Sequence, residues 1–195
     1  MRIVLNIAVA LLLLCTSCSK QEDIIFAQHE QMVKYLTTTL KLVAEEELGN
    51  VLDENPPFYS TIDRYVYRHV VNYYDAGRKA QKEVVWGSTV EFHFDAYIVE
   101  NGRPTDIYWS NTEATFERFR RENPNFTVDW STEPLRVTLG ATEMIEGLNI
   151  ALPGCREKDS VQLFITSNLA YGKKIVGEVP KNTAVAWYLK IDKVE

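Results

Sequence analysis

The chain has 195 residues, of which 46% are hydrophobic and 25% are charged, and its formal net charge at pH 7 is −6. This length suits one domain of ordinary size with some additional sequence, and the hydrophobic content is sufficient for a buried core. The negative charge argues against a nucleic-acid partner, because phosphate recognition usually needs a basic surface. We therefore expect a globular protein that does not bind nucleic acid.

The first residues have the layout of an export signal. Arg2 precedes an apolar run from Ile7 to Leu14, and small residues lead from there to Cys18. The run is too short to span a bilayer comfortably as a mature helix. The sequence "CTSC" resembles a bacterial lipobox, in which cleavage before Cys18 leaves a thiol for lipid attachment, although Cys15 stands where that pattern usually has leucine. The alternatives are an uncleaved anchor and a plain signal with incidental cysteines.

Under the lipobox interpretation, residues 1–17 are a signal peptide and residues 18–23 are a lipid-anchored tether. The predicted location is the bacterial cell envelope, on the periplasmic or surface face of a membrane, with the outer membrane favoured. Cys155 would then be the one free thiol of the mature chain, so no intramolecular disulfide is expected. It lies in a turn-like segment without a histidine nearby in sequence, which favours an inert thiol over a nucleophile.

A helix is predicted between Ile24 and about Leu48, because apolar residues recur there at steps of three, four or seven. Gly49 and the following "DENPP" end this pattern, so residues 24–58 form a separate N-terminal helical segment. The helix can pack on the domain that follows, or it can pair with another copy of itself to form a homodimer. We favour packing within the chain.

The remainder of the chain is predicted to be an α+β domain over residues 60–195. Residues 89–99 alternate between apolar and polar side chains, which places Phe94 on the buried face of a strand. Residues 112–133 form a charged excursion with one helical turn. A short helix begins near Thr142. Four other segments have the aromatic, β-branched or alternating pattern of strands, namely residues 64–74, 134–140, 160–166 and 183–194.

The order of short motifs in the last third of the chain resembles the C-terminal half of FKBP-type peptidyl-prolyl isomerases. The motifs are Leu139-Gly140, Ile145 with Gly147, Lys158-Asp159, Ala170-Tyr171-Gly172, Val179-Pro180 and Trp187. The segment "GSTVEFHFDAYIVENG" is similar to an early strand and turn of that family, so the resemblance covers roughly residues 64–195. It implies a curved antiparallel sheet wrapped around a short helix, to which this chain adds its N-terminal helix.

The resemblance also implies an activity, which is rotation about the peptide bond that precedes proline. That rotation has a barrier of roughly 18–20 kcal/mol and passes through a twisted amide with reduced polarity. A dry aromatic pocket suits the twisted state better than water does. No nucleophile and no cofactor are needed. A metal site is not expected either, because the histidines have no acids or cysteines at ligand spacing.

Transferred residue by residue, the resemblance implies two catalytic groups, the Tyr171 hydroxyl and the backbone N–H of Ile145. Leu148 stands where the best-known members have tryptophan, which implies a shallower floor and weaker activity. The residues implied to bind substrate are Phe94, Tyr108, Leu135, Met144, Leu148, Val179 and Trp187.

The segment "RPTDIYWSN" departs from the aromatic–aspartate pair of the family in both registers that we consider. One register uses Tyr108 and Trp109, and the other uses Thr105 and Asp106. We favour Tyr108 as a pocket wall, because the following "SN" then falls in step with the family pattern.

Two functions follow as hypotheses. The first is a prolyl isomerase that assists the folding of exported proteins and binds proline-containing polypeptide segments. The second is a binding or chaperone module of the cell envelope that has kept the fold with little or no isomerase activity. In both, the lipid anchor makes the membrane a partner.

Overall fold

The structure is a computed structural model, and it describes residues 20–122 and 130–195. The predicted signal peptide and Cys18 lie outside the described residues, as do residues 123–129 of the charged excursion. Among the helices of the described ranges, none combines the length and the apolar character that crossing a bilayer requires.

The N-terminal helix α1 covers residues 20–34 and continues as a π-helical turn, Tyr35–Thr39. It ends well before Leu48, where the apolar spacing predicted its end. Lys41 adopts a left-handed backbone conformation with φ of 58°, and the chain then enters the two-residue strand β1, Val43–Ala44. A 3-10 helix, Glu45–Asn50, follows. The apolar spacing continues past the helix because its last residue, Val43, lies in strand β1 and pairs with Phe58 of the sheet, and does not belong to a further helical turn.

The sheet of the described residues has eight strands, in the order β1-β2-β3-β7-β8-β4-β5, and it is open. Strand β6 pairs with β4, on the same edge as β5. The β1–β2 pair is parallel and the other pairs are antiparallel. The remaining strands are β2 Phe58–Asp63, β3 Val66–Val70, β4 Thr89–Glu100, β5 Arg103–Ser110, β6 Leu135–Thr138, β7 Ser160–Ile165 and β8 Ala184–Val194.

Two helices follow the β4–β5 hairpin in sequence and have different positions. Helix α2, Glu113–Glu122, belongs to the charged excursion, and helix α3, Glu146–Ala151, packs on the inner face of the sheet. Gly147 makes this close packing possible, because a Cβ at that position would overlap the Ile165 side chain. The predicted α+β fold, a curved sheet wrapped around a short helix, is confirmed.

The sheet carries a hydrophobic cluster on each face. The inner cluster contains Phe92 and Phe94 of β4 and Leu148 of α3, all buried. The outer cluster packs Met32 and Leu36 against aromatic residues of β3, β7 and β8. The N-terminal helix therefore packs on the sheet of its own chain.

Two half-buried arginines make hydrogen bonds around the segment that ends α3 and follows it. The Arg68 Nη1 donates to the carbonyl oxygens of Ala151 at 2.8 Å and Pro153 at 2.5 Å, which satisfies acceptors that the helix end leaves open. Arg78 donates two hydrogen bonds, at 2.8 and 2.7 Å, to the fully buried carboxylate of Asp159. Cys155 lies in the same region, and burial raises its pKa to about 11, so the thiol stays protonated at neutral pH.

Candidate functional site

A cavity of about 670 Å³ opens between the inner face of the sheet and α3. Its walls come from β5, β6, β8, α3 and the loop that joins β7 to β8. The aromatic and aliphatic lining residues are Tyr108, Trp109, Leu135, Val137, Met144, Ile145, Leu148, Ala170, Tyr171, Val176 and Trp187. Seven of the nine predicted site residues of this pocket are in that list, so the fold brings most of them to one concave surface.

A second cavity, of about 550 Å³, lies between α1 and the β4–β5 turn. It is lined mainly by polar and charged residues, and it contains none of the predicted site residues. Thr105 lines this second cavity and Asp106 is exposed. The register that would place Thr105 and Asp106 in the pocket therefore does not agree with the structure, whereas the register with Tyr108 does.

An aromatic stack forms the deep wall of the first cavity. The rings of Phe94 and Trp187 stack with centroids 4.5 Å apart and an interplanar angle of 26°. Trp109 meets Trp187 edge to face, with ring centroids 5.6 Å apart. Phe94 is predicted to line the pocket but lies behind its surface, because Trp187 covers it. Val179 is also buried behind the surface, where it exchanges two backbone hydrogen bonds with Val176 at 2.9 and 3.1 Å.

A β-bulge places two consecutive aromatic residues on the pocket. Ala96 pairs with Trp109 and Tyr97 pairs with Ile107, so Tyr108 is an additional residue in β5 without a partner in β4. A bulge of this kind redirects side chains that strict alternation would send to opposite faces. Both Tyr108 and Trp109 line the cavity as a result. The favoured register includes Trp109 beside Tyr108, but only Tyr108 is predicted from the sequence to be a pocket wall.

Two tyrosine hydroxyls meet inside the cavity. The hydroxyl oxygens of Tyr108 and Tyr171 are 3.3 Å apart, and their rings are at an angle of 82°. Burial raises the pKa of both tyrosines above the ordinary value, so both hydroxyls stay protonated at neutral pH. The Tyr171 loop is held by the Gly172 N–H, which donates to the Ser167 carbonyl at 2.7 Å. The pocket therefore offers neutral hydrogen-bond donors.

Ile145 lies at the point where α3 begins. Its backbone is extended, with φ of −63° and ψ of 140°, and its carbonyl accepts the hydrogen bond of the Leu148 N–H. Among the backbone hydrogen bonds of the described residues, none uses the Ile145 N–H as a donor. The structure thus leaves this N–H, predicted to be catalytic, available beside the pocket.

Asn111, which the sequence marks only through the "SN" step that sets the register, is a structural residue of the site. Its Oδ1 accepts the Phe94 N–H at 2.6 Å, and its Nδ2 donates to the carbonyls of Phe92 at 3.1 Å and Glu133 at 3.0 Å. The side chain fills the gap on the β4 edge between β5 and β6. It therefore connects the wall that carries Tyr108 to the wall that carries Leu135.

A family model of FKBP-type peptidyl-prolyl cis-trans isomerases matches residues 80–192, more than half of the chain. The chain belongs to this family. The match begins after β3, so α1 and the first three strands precede the part that the family model covers.

Among solved structures, the N-terminal domain of FKBP42 from Arabidopsis thaliana is similar to this chain, with a TM-score of 0.51 and 14% sequence identity. The likeness covers 74% of this chain and 98% of that domain, and at such low identity it supports the fold alone. A search of curated proteins finds no match to the chain.

The acidic groups of this FKBP-type pocket are at its mouth. Glu143, Glu146 and Glu178 line the opening and are exposed. Of the described residues that line the cavity, none is a buried acid, and Leu148 occupies the floor. The interior thus combines apolar surface with neutral donors, an arrangement that can favour a conformational change in a bound peptide without proton transfer or covalent chemistry.

Proposed function

We propose that this protein is a peptidyl-prolyl cis–trans isomerase whose pocket receives a proline ring and the amide that precedes it. The observation that carries the proposal is the shared cavity of Tyr108, Tyr171 and Trp187, which combines an aromatic wall with hydroxyl donors. A volume of about 670 Å³ is ample for a prolyl side chain and its neighbouring backbone.

The proposed mechanism depends on the difference in polarity between the planar and the twisted amide. Twisting the bond reduces amide resonance and the polarity of the carbonyl. The twisted state therefore loses less hydration free energy than the planar state when water is removed. The apolar surfaces of Leu135, Met144 and Leu148 exclude water around the prolyl ring. The Tyr171 O–H and the Ile145 N–H hold carbonyl groups of the neighbouring residues. Each 1.4 kcal/mol of preferential stabilisation of the twisted state gives about a tenfold acceleration.

In the cell, the proposed substrates are exported proteins whose folding rate is limited by prolyl isomerisation. Uncatalysed isomerisation takes on the order of 10–100 s, so a catalyst in the envelope would speed the folding of these proteins. The proposed attachment is a lipid on Cys18, which would keep the domain beside the membrane. Metabolic labelling with palmitate, in the natural chain and in Cys18→Ala, tests the anchor separately from the activity. Label in the natural chain and its loss in the variant are the expected results.

A protease-coupled assay with an Xaa-Pro peptide tests the isomerase. We expect the natural protein to accelerate the cis-to-trans phase in proportion to its concentration, and Tyr171→Phe to reduce kcat/KM by about tenfold, the effect of one lost hydrogen bond. A rate equal to that of buffer would reject the isomerase.

A second candidate function is a binding module with little turnover. It is favoured by Leu148 at the floor and by the location of the lining carboxylates at the mouth. This candidate predicts that prolyl peptides or unfolded clients bind in the same cavity while isomerisation stays at the uncatalysed rate. Measuring affinity and turnover on one peptide distinguishes the two functions.

A further inference from the structure

The deep wall of the pocket contains a buried polar atom whose role the proposed mechanism leaves open. The indole Nε1 of Trp187 is buried, and no group in the described ranges accepts a hydrogen bond from it. An indole N–H is a donor only, and leaving a buried donor unpaired lowers stability. Such groups are rare in native proteins, and each needs an explanation.

The direction of this N–H is fixed by its neighbours. Trp187 stacks on Phe94, and Tyr108 and Trp109 meet its ring edge to face with ring centroids 6.5 and 5.6 Å away, so the indole has little freedom to turn. Burial raises the pKa of Tyr108, and the Trp187 indole opposes that rise, so among the described residues the Tyr108 hydroxyl lies near this N–H, although the geometry falls short of a hydrogen bond. Catalytic hydrogen bonds often shorten when a substrate binds.

Without the indole, the direction of the hydrogen bond between the two tyrosine hydroxyls is not determined. Tyr108 and Tyr171 approach each other at 3.3 Å, and either hydroxyl could donate to the other. If Tyr171 donates to Tyr108, its proton is not available to a ligand. If Tyr108 donates to Tyr171, the Tyr171 O–H can donate to a ligand. A donor-only group beside the Tyr108 oxygen favours the second arrangement, because accepting a hydrogen bond makes a hydroxyl a better donor.

We propose that Trp187 sets the direction of a three-member chain in which its N–H donates to Tyr108, Tyr108 donates to Tyr171, and the Tyr171 O–H donates to a substrate carbonyl. This inference rests on the proposed function of the pocket. Tyr171 is the catalytic residue of the chain, because it touches the substrate. Tyr108 and Trp187 are positioning residues that act through it.

The test replaces Trp187 by 3-benzothienylalanine, which keeps the shape of the ring and exchanges the N–H for sulfur. We expect kcat/KM to fall by about threefold to tenfold, since one link of a cooperative chain is lost, while the melting temperature does not fall. Tyr108→Phe should produce a similar loss. Combined with the Trp187 replacement, it should add little further loss, because both changes interrupt the same chain.

A structural role for the indole would give a different pattern. It would lower the melting temperature in the Trp187 variant, leave kcat/KM unchanged, or make the two losses multiply; each of these outcomes overturns the inference. The matched control is 3-benzothienylalanine at Trp86, which is 64% exposed and does not line the cavity. This control should leave kcat/KM within about twofold of the natural value.

Nuclear magnetic resonance separates failure of this inference from failure of the proposed function. On titration with a prolyl peptide, the Trp187 indole N–H resonance, assigned from its loss in the Trp187 variant, should shift downfield as its hydrogen bond shortens. A protein that binds the peptide without turnover but shows this shift supports the chain and rejects the isomerase. Turnover with an unmoved indole resonance supports the isomerase and rejects the chain. If the peptide neither binds nor is turned over, both proposals are rejected.

Discussion

The two faces of the sheet are both rich in aromatic residues, yet only the inner face leaves a large apolar cavity among the described residues. On the outer face, Tyr67 and Phe164 are completely covered by α1 and its π-helical turn. On the inner face, α3 is only six residues long, and the rings of Trp109 and Tyr171 remain partly accessible. The polar cavity near α1 lies beside the β4–β5 turn, and among the described residues Tyr35 is its one aromatic lining residue.

The difference shows that the length of the covering helix, and not the aromatic content, separates a core from a candidate binding site in this fold. Both faces use the same kinds of strand residues. A long helix with buried Met32 and Leu36 closes one of them, whereas a short helix and a glycine-flanked loop leave the other open. We therefore expect changes on the outer face to affect stability and changes on the inner face to affect activity.

The largest expected effect is on the outer face. Met32→Ala should lower the free energy of unfolding by about 2–5 kcal/mol, because it removes a fully buried side chain and leaves a cavity under α1. Denaturant unfolding measures the loss. Phe26→Ala on the same helix is the matched control, since Phe26 is 59% exposed, and its effect should stay within about 0.5 kcal/mol. Equal losses in the two variants would contradict the assignment of the outer face as a closed core.

A second change moves the short helix of the inner face. Gly147→Ala places a methyl group against Ile165, so α3 must shift, and overpacking of this kind costs about 1–3 kcal/mol. Because Ile145 and Met144 begin the same helix, kcat/KM should fall as well. Gly49→Ala is the control, since a Cβ there meets no atom within 4 Å. An unchanged rate in Gly147→Ala, together with the expected loss of stability, would show that the position of α3 does not matter for turnover.

A third pair of variants compares tyrosines on the two faces. Tyr171→Phe should lower kcat/KM by about tenfold with little change in stability, because it removes one hydroxyl that faces the cavity. Tyr188→Phe makes the same chemical change on the outer face, where Tyr188 contacts Tyr97 with ring centroids 5.0 Å apart. It should leave kcat/KM unchanged. Similar rate losses in both variants would mean that the hydroxyl effect is not specific to the pocket.

The smallest effect is on pH dependence. Burial raises the pKa of Tyr108 and Tyr171, so both hydroxyls remain donors, and kcat/KM should be nearly constant between about pH 6 and pH 9. Above about pH 10, tyrosines ionise in the unfolded chain before they do in the folded one, so the free energy of unfolding should fall as the pH rises. Tyr108→Phe should reduce that slope. A steep loss of kcat/KM between pH 7 and pH 9 would contradict neutral tyrosine donors.

The sequence predicted the pocket better than it predicted the start of the chain. Alternation in β4 and the apolar stripe of α3 are local patterns, and the loop that carries Tyr171 is marked by its glycines. The position of Trp109 depends on an unpaired residue in β5, which becomes visible only when the register with β4 is known. Strand β2 begins directly after Pro57, and the prolines made that segment resemble a break. The end of α1 was misplaced because strand residues continued the helical spacing.

The most direct measurement is two-dimensional exchange spectroscopy of an Xaa-Pro peptide with a catalytic amount of the protein. It follows cis–trans exchange without a coupling protease. The natural protein should produce exchange cross-peaks between the cis and trans resonances, and Tyr171→Phe should weaken them at equal concentration. If the natural protein binds the peptide in the cavity but yields no cross-peaks beyond those of the peptide alone, catalysis by this pocket is contradicted.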